Sequence, residues 1–322
     1  MAVNYEDQAT LFNFVVKQGN GVKALIDSGM SRVPQPFVQP LSERIATPHA
    51  RTCEAAQPID LSQLDGPRHK EVAKQITEAA ETLGFFQVVN HGVSVELLEL
   101  LKTSAHKFFA QPPEKKAIYL KEVSPSKLVK YGTSFVPEKE KAIEWKDYVS
   151  MLYTNDHEVL QHWPPQCREV ALDFLKSSMA MVKRVVEVLM EDVGVRLEEE
   201  RMNRLMGTKM VNMNYYPTCP SPELTIGVGR HSDMGMLTVL LQDGIGGLYV
   251  KLDNGDWAEI PPLDGALVIT APNPSEKIGP LPEVVRHDGV ARYKELLFQD
   301  YMNNFFGQPH EGKKSLDFAR AD

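Results

Sequence analysis

The stretch RHSDMGMLTVLLQD, Arg230–Asp243, sets a histidine and an aspartate two residues apart at the head of an apolar run. On a β-strand, residues i and i+2 point to the same face, so the His231 imidazole and the Asp233 carboxylate can converge while Ser232 turns away. One histidine and one carboxylate, joined by a second histidine, leave open positions on Fe(II) for a chelating cosubstrate and oxygen. The pair by itself carries little weight. With nine histidines in the chain, a His-x-Asp spacing is expected roughly half a time by chance, and HKE at His69 and Glu71 is an acidic decoy of the same kind.

Outward from the pair, the texture after Lys209 is that of short strands. KMVNMNYY, ELTIGVG, MLTVLLQ, GLYVKL, DWAEI and ALVIT are β-prone runs separated by turn chemistry such as DNGD and PPLDG, which predicts an antiparallel sheet region. A jelly roll needs about eight strands to close. Only these six precede TAPNPSEKIGPLPEVV, whose prolines cannot carry a ladder. KELLFQDYMNNFFG is expected to close the chain as a helix. Upstream, EVAKQITEAAETLG has helical periodicity and stops at Gly84 before the β-rich FFQVVNHGV. VELLELLKTSAHKFFAQPPEKK is a second helix, ended by Pro112 and Pro113. REVALDFLKSSMAMVKRVVEVLMEDVGV is the longest, with Val170, Phe174, Val182, Val185, Leu189 and Val193 on one apolar stripe. Residues 1–58 read as a short helix and a Pro-rich extended arm over a larger body, with no chemistry of their own.

The whole chain sets broad bounds. Its 322 residues, 43% apolar, can fill a sizeable core. A net charge of -8 and a pI near 5.7 oppose nucleic acid and anionic membrane surfaces, leaving small-molecule chemistry. The start lacks a basic segment followed by an apolar one, and no run has the length of a membrane span. A cytoplasmic monomer is expected. Cys53, Cys167 and Cys219 are scattered and odd in number, without zinc-site spacing, and are expected to be buried thiols.

The order of motifs is more specific. GFFQVVNHGV (84–93), EWKDYV (144–149), NYYPTCP (214–220) and SPELTIGVGRHSD (221–233) together resemble the plant 2-oxoglutarate-dependent, non-haem iron dioxygenases, over nearly all of residues 55–310. The resemblance implies an α+β fold. A double-stranded β-helix (jelly roll) core, here incomplete, would follow an N-terminal helical domain and precede a C-terminal helix. The divisions would be an arm and helix at 1–56, an N-terminal dioxygenase domain at 57–206 and the oxygenase core at 207–322, truncated after Ile269. It further implies that His231 and Asp233 are Fe(II) ligands, that Asn214 and Tyr216 contact 2-oxoglutarate, and that ascorbate serves as reductant. YGTSFVPEKEKAIEWKDYVSMLY and APNPSEKIGPLPEVV look most like the ortho-hydroxylases of feruloyl- and coumaroyl-coenzyme A, whose product closes a lactone to give coumarins such as scopoletin. An acyl-coenzyme A substrate follows from that likeness. A flavonoid- or hormone-directed member of the family, or a non-catalytic deletion product, are the alternatives.

The chain also departs from the family pattern. The family's distal histidine lies in a segment of NGxYxSxxHRV type, followed by an RxS motif whose arginine clamps 2-oxoglutarate. Neither occurs here. After GALVI, roughly three dozen residues would be needed to complete the roll, yet Ile269 passes through Thr270 straight into APNPSEKIGP. His287, in EVVRHDGVARY, reads as a surface histidine of the family's tail, and His91 as a hydrogen-bonded structural one. Lys115, Lys116, Lys121, Lys127 and Lys130 form either a coenzyme A phosphate patch or a solvated loop. Impaired catalysis and opened sheet edges are expected.

Overall fold

The computed structural model describes residues 7–44, 51–53, 57–192, 194–231, 233, 237–251, 255–267, 277–278, 294 and 296–297. The chain begins with α1 (Gln8–Phe12), which runs on as a π-turn, Asn13–Lys17, and with α2 (Gly21–Asp27). Next come β1 (Arg51–Thr52), β2 (Ile59–Asp60), α3 (His69–Thr82), β3 (Val88–Val89), α4 (Val95–Phe109) and α5 (Pro113–Ala117). The middle of the chain holds β4 (Val129–Gly132), β5 (Asp147–Tyr153), α6 (Asp156–His162), α7 (Arg168–Asp192) and α8 (Glu199–Leu205). β6 (Lys209–Tyr215), β7 (Leu248–Lys251), β8 (Trp257–Ile260), β9 (Lys277–Ile278) and β10 (Leu296–Leu297) follow.

Local chemistry explains the helix ends. Ser94 caps α4 by accepting the Leu97 N–H at 3.2 Å. α5 places Pro113 in its first turn, where a missing N–H costs nothing. The apolar sides of α3, α4 and α7 meet one face of the antiparallel sheet β4-β5-β6. That face carries Val129, Tyr131, Val149, Met151, Val211 and Met213, all buried. The stripe expected on α7 lies in this core, with Phe174, Val182 and Val185 buried and Val170 and Leu189 at its margin; Val193 lies outside the described residues. A second, smaller core joins Leu11, Val15, Val22, Leu25 and Phe37 of the N-terminal arm to Ile143 and Trp145.

The class is α+β, but the β-rich half differs from expectation. Three of the six β-prone runs form strands, namely β6, β7 and β8. The described residues of ELTIGVG and MLTVLLQ are a short 3-10 turn and irregular chain, and Ala266 and Leu267 are irregular as well. A β-prone run becomes a strand only against a partner whose N–H and C=O groups complete the ladder. β8 has two partners, β7 antiparallel and β1 parallel. The expected C-terminal helix is corrected at its start: Leu296 and Leu297 are extended and pair antiparallel with Ile278 and Lys277, in the tract read as unable to carry a ladder. The rest of that segment lies outside the described residues.

Candidate metal centre

The site is built from the segment that feeds β5. Glu144 and Lys146 are buried, at 2% and 1% exposure, and pair at 3.0 Å. Two charges removed from water persist only with further partners. Lys146 lies over the Phe135 ring, 4.8 Å from its centre, and Glu144 Oε1 accepts the Gly229 N–H at 2.7 Å. Between them, the Trp145 N–H donates to the Ile226 carbonyl at 2.8 Å, and its indole Nε1–H donates to the Pro217 carbonyl at 3.0 Å. One short segment thus fixes the chain at 217, 226 and 229, just ahead of His231. Asp147, fully buried, accepts the N–H groups of Val22 and Lys23 and the Thr133 hydroxyl. Burial raises its carboxyl pKa against the pull of those hydrogen bonds. A side chain at Gly21, where φ is +79°, would strike the Asp147 carboxylate.

His231 and Asp233 come together as expected, although on irregular chain rather than on a strand. His231 Nε2 lies 3.4 Å from Asp233 Oδ1, a separation that suits two neighbouring donors each about 2.1 Å from one ion. His231 Nδ1 lies 2.8 Å from the Gly229 carbonyl. A carbonyl can only accept, so Nδ1 is the donor in that contact and Nε2 is the ring atom that faces the carboxylate. A backbone carbonyl on the second ring nitrogen is a common orienting partner of metal-bound histidines. Thr238 also donates to Asp233. Burial works to raise the Asp233 pKa, but the hydrogen bonds from His231 and Thr238 hold it below the ordinary carboxylate value.

The remaining expected residues fall as follows. Asn214 lies on β6 with Asn212, facing away from the helical core, and Asn212 accepts the Ser150 hydroxyl at 2.5 Å. Tyr216, just past the strand and 52% exposed, lays its ring where a Cβ on Gly227 would sit. Among the described residues no group of three His, Cys, Asp or Glu side chains could hold a metal, and His287 lies outside them. The pair therefore suits a divalent ion in chemistry and spacing while supplying two protein donors. His91 is structural, its Nδ1 accepting the Val93 N–H at 3.2 Å, and burial lowers its pKa. Lys116 leaves the proposed phosphate patch: it is buried, and its Nζ donates to the Phe109 carbonyl at 3.0 Å. Cys53 and Cys167 are buried, whereas Cys219 is partly exposed. Glu43, Glu144 and Lys146 were invisible as site-builders in sequence, because the bonds from Glu43 and Glu144 span 187 and 85 residues.

Comparison with known proteins follows the same outline. Residues 57–166 match the family described as non-haem dioxygenase in morphine synthesis N-terminal, and residues 207–276 match the 2OG-Fe(II) oxygenase superfamily. A scopoletin 8-hydroxylase of Arabidopsis thaliana is 76% identical over 357 residues, covering 100% of both chains. Since this chain has 322 residues, at least 35 of those 357 positions have no counterpart in it. A feruloyl-CoA ortho-hydroxylase of Ipomoea batatas is 43% identical, covering 97% of each chain. Among solved structures, JOX2 in complex with 2OG, Fe and JA superposes with a TM-score of 0.78 at 27% identity, covering 94% of this chain and 97% of that one. The chain belongs to the 2OG-Fe(II) oxygenase superfamily, the jelly-roll enzymes that use Fe(II) and 2-oxoglutarate to hydroxylate their substrates.

Proposed function

We propose that this chain derives from a hydroxylase of coumarin formation, with a hydroxycoumarin of the scopoletin type as its substrate, and that its own turnover is severely impaired. The carrying observation is the His231–Asp233 pair with its ring oriented by Gly229, in a chain 76% identical to a scopoletin 8-hydroxylase. The ortho-hydroxylation of feruloyl- or p-coumaroyl-coenzyme A, expected from the sequence, becomes the second reading. The 43% identity to a feruloyl-CoA enzyme favours it, while the loss of Lys116 from the lysine patch removes part of its support.

When bound, Fe(II) with 2-oxoglutarate and oxygen supplies the hydroxylating chemistry, the cosubstrate leaving as succinate. His231 and Asp233 would hold the ion, and Asn214 and Tyr216 would contact the cosubstrate. The 35 or more positions without a counterpart, taken to fall after Ile269, support the loss of the third donor and of the arginine that anchors 2-oxoglutarate. Arg230 is no substitute, because its guanidinium is committed to Glu43 at 2.7 Å. Loss of one charge-assisted anchor costs about 1.5–3 kcal/mol, or roughly 10–150-fold in cosubstrate affinity, before any weakening of metal binding. The test is succinate release by purified protein with added Fe(II) and 2-oxoglutarate, with scopoletin and feruloyl-CoA in parallel. Release at least about 100-fold below that of the intact 76% relative, with scopoletin the better substrate, is expected. Turnover equal to the relative's would refute impairment, and a preference for feruloyl-CoA would refute the substrate assignment.

A further inference from the structure

The N-terminal arm, without a role in sequence, reaches the loop that carries the His231–Asp233 pair. It is attached at three successive points. The Pro36 carbonyl accepts the Ile143 N–H at 2.7 Å, and the Gln39 N–H donates to the Leu224 carbonyl at 2.8 Å. Glu43, ending the 3-10 turn Leu41–Glu43, receives Arg230: Nε lies 3.0 Å from Oε2, and Nη2 lies 2.8 and 2.7 Å from Oε1 and Oε2. The two side chains are only 31% and 20% exposed, so this forked pair is screened less than one at the open surface.

Residues 225–231 have no sheet partner among the described residues. Each residue of such a loop retains about 1–2 kcal/mol of backbone freedom unless something fixes it. Here the fixings are side chains. Glu144 takes the N–H of Gly229, the Gly229 carbonyl takes the His231 ring, and Glu43 takes Arg230, the residue between them. With two donors rather than three, the ion cannot itself set the loop's shape, so prior ordering by the protein counts for more.

We propose that Glu43 is a positioning residue for the His231–Asp233 pair: through Arg230, the N-terminal arm holds the imidazole in the orientation that meets a divalent cation. The proposal rests on reading that pair as metal donors. It is tested on the full chain with two readouts, hydrogen–deuterium exchange of the 226–231 segment without metal, and Co(II) titration. Glu43→Gln should speed exchange in that segment several-fold and weaken Co(II) binding about 10-fold, the lower end of what loss of an orienting partner costs. Arg230→Glu should do the same. The reversed pair Glu43→Arg with Arg230→Glu should recover most of both losses, which a merely destabilising change would not. Glu43→Asp, keeping the charge one methylene short, should move both readouts the same way by less, and stands in if Glu43→Gln fails to fold. Unchanged exchange and affinity in Glu43→Gln, or a reversed pair no better than its singles, would overturn the proposal. A His231→Ala chain binding Co(II) like the parent would instead refute the metal reading, a separate result because the exchange comparison needs no metal.

Discussion

Beside the buried Glu144–Lys146 pair lies a residue in a costly state. Burial first, and then the Glu144 charge, push the Glu140 carboxyl up to about 7, against the hydrogen bonds from Ser134 and Val136. One of its carboxylate oxygens, Oε2, is buried and has no hydrogen-bond partner among the described residues. The unfolded chain releases this proton near the ordinary value of 4.5. Between those two values the folded protein holds a proton that the unfolded one has lost, so stability falls as pH rises through the window. The loss amounts to about 2–3 kcal/mol by the top of it. Glu140→Gln, which cannot ionise, should flatten that slope and be the more stable protein at about pH 8, with little difference at about pH 5. Urea midpoints at the two pH values measure it, and parallel slopes for the two proteins would contradict the assignment. At this scale the sequence was uneven. The nearness of His231 and Asp233 was legible from their spacing, although they meet on irregular chain rather than on the expected strand, whereas Glu140, Glu144 and Glu43 act across distances that no local pattern encodes.

At the scale of elements, the segment EWKDYV runs into β5 and braces the loop that carries His231 and Asp233. In sequence it stood out only as a motif of the family resemblance; its grip on 217–229 was not readable, since that depends on backbone groups arriving from elsewhere. The brace contains one ion pair, and burial makes that pair asymmetric: keeping both charges costs little, while removing one strands the other. Lys146→Met should therefore destabilise the chain by about 3–5 kcal/mol, and pairing it with Glu144→Gln should return a large part of that loss. Thermal unfolding of the single and double variants compares them, and a double variant as unstable as the single would show that the lysine acts through Phe135 packing instead. The helices were legible for the opposite reason. α3, α4 and α7 owe their existence to periodicity and end signals within their own sequence. The described residues of ELTIGVG and MLTVLLQ, with equal β propensity on paper, form no strand because a ladder needs a neighbour.

For the whole molecule, the helical layer, the sheet β4-β5-β6 and the arm make a buried framework to which the β-rich end adds Leu267 and, at the margin, Leu237, Val239 and Leu241. The jelly-roll half is where completeness matters. Among the described residues, β7 is bonded to β8 alone in its sheet, and the irregular run Leu237–Leu241 packs partly buried against the main core with no ladder of its own. A closed roll would pair such edges, which otherwise recruit other chains. Restoring the absent residues should therefore act on fold and chemistry at once. On the proposed location of the gap, inserting after Ile269 the segment that the 76% relative possesses and this chain lacks, at least 35 residues, should reduce aggregation and raise the unfolding temperature. It should also raise Fe(II)-dependent succinate release by about 100-fold or more, by returning the third donor and the cosubstrate's anchor. His231→Ala in the restored chain should abolish that gain, because the ion would again lack a donor. A restored chain that folds well yet releases no more succinate would mean that the defect lies in the retained residues, His231 and Asp233 among them.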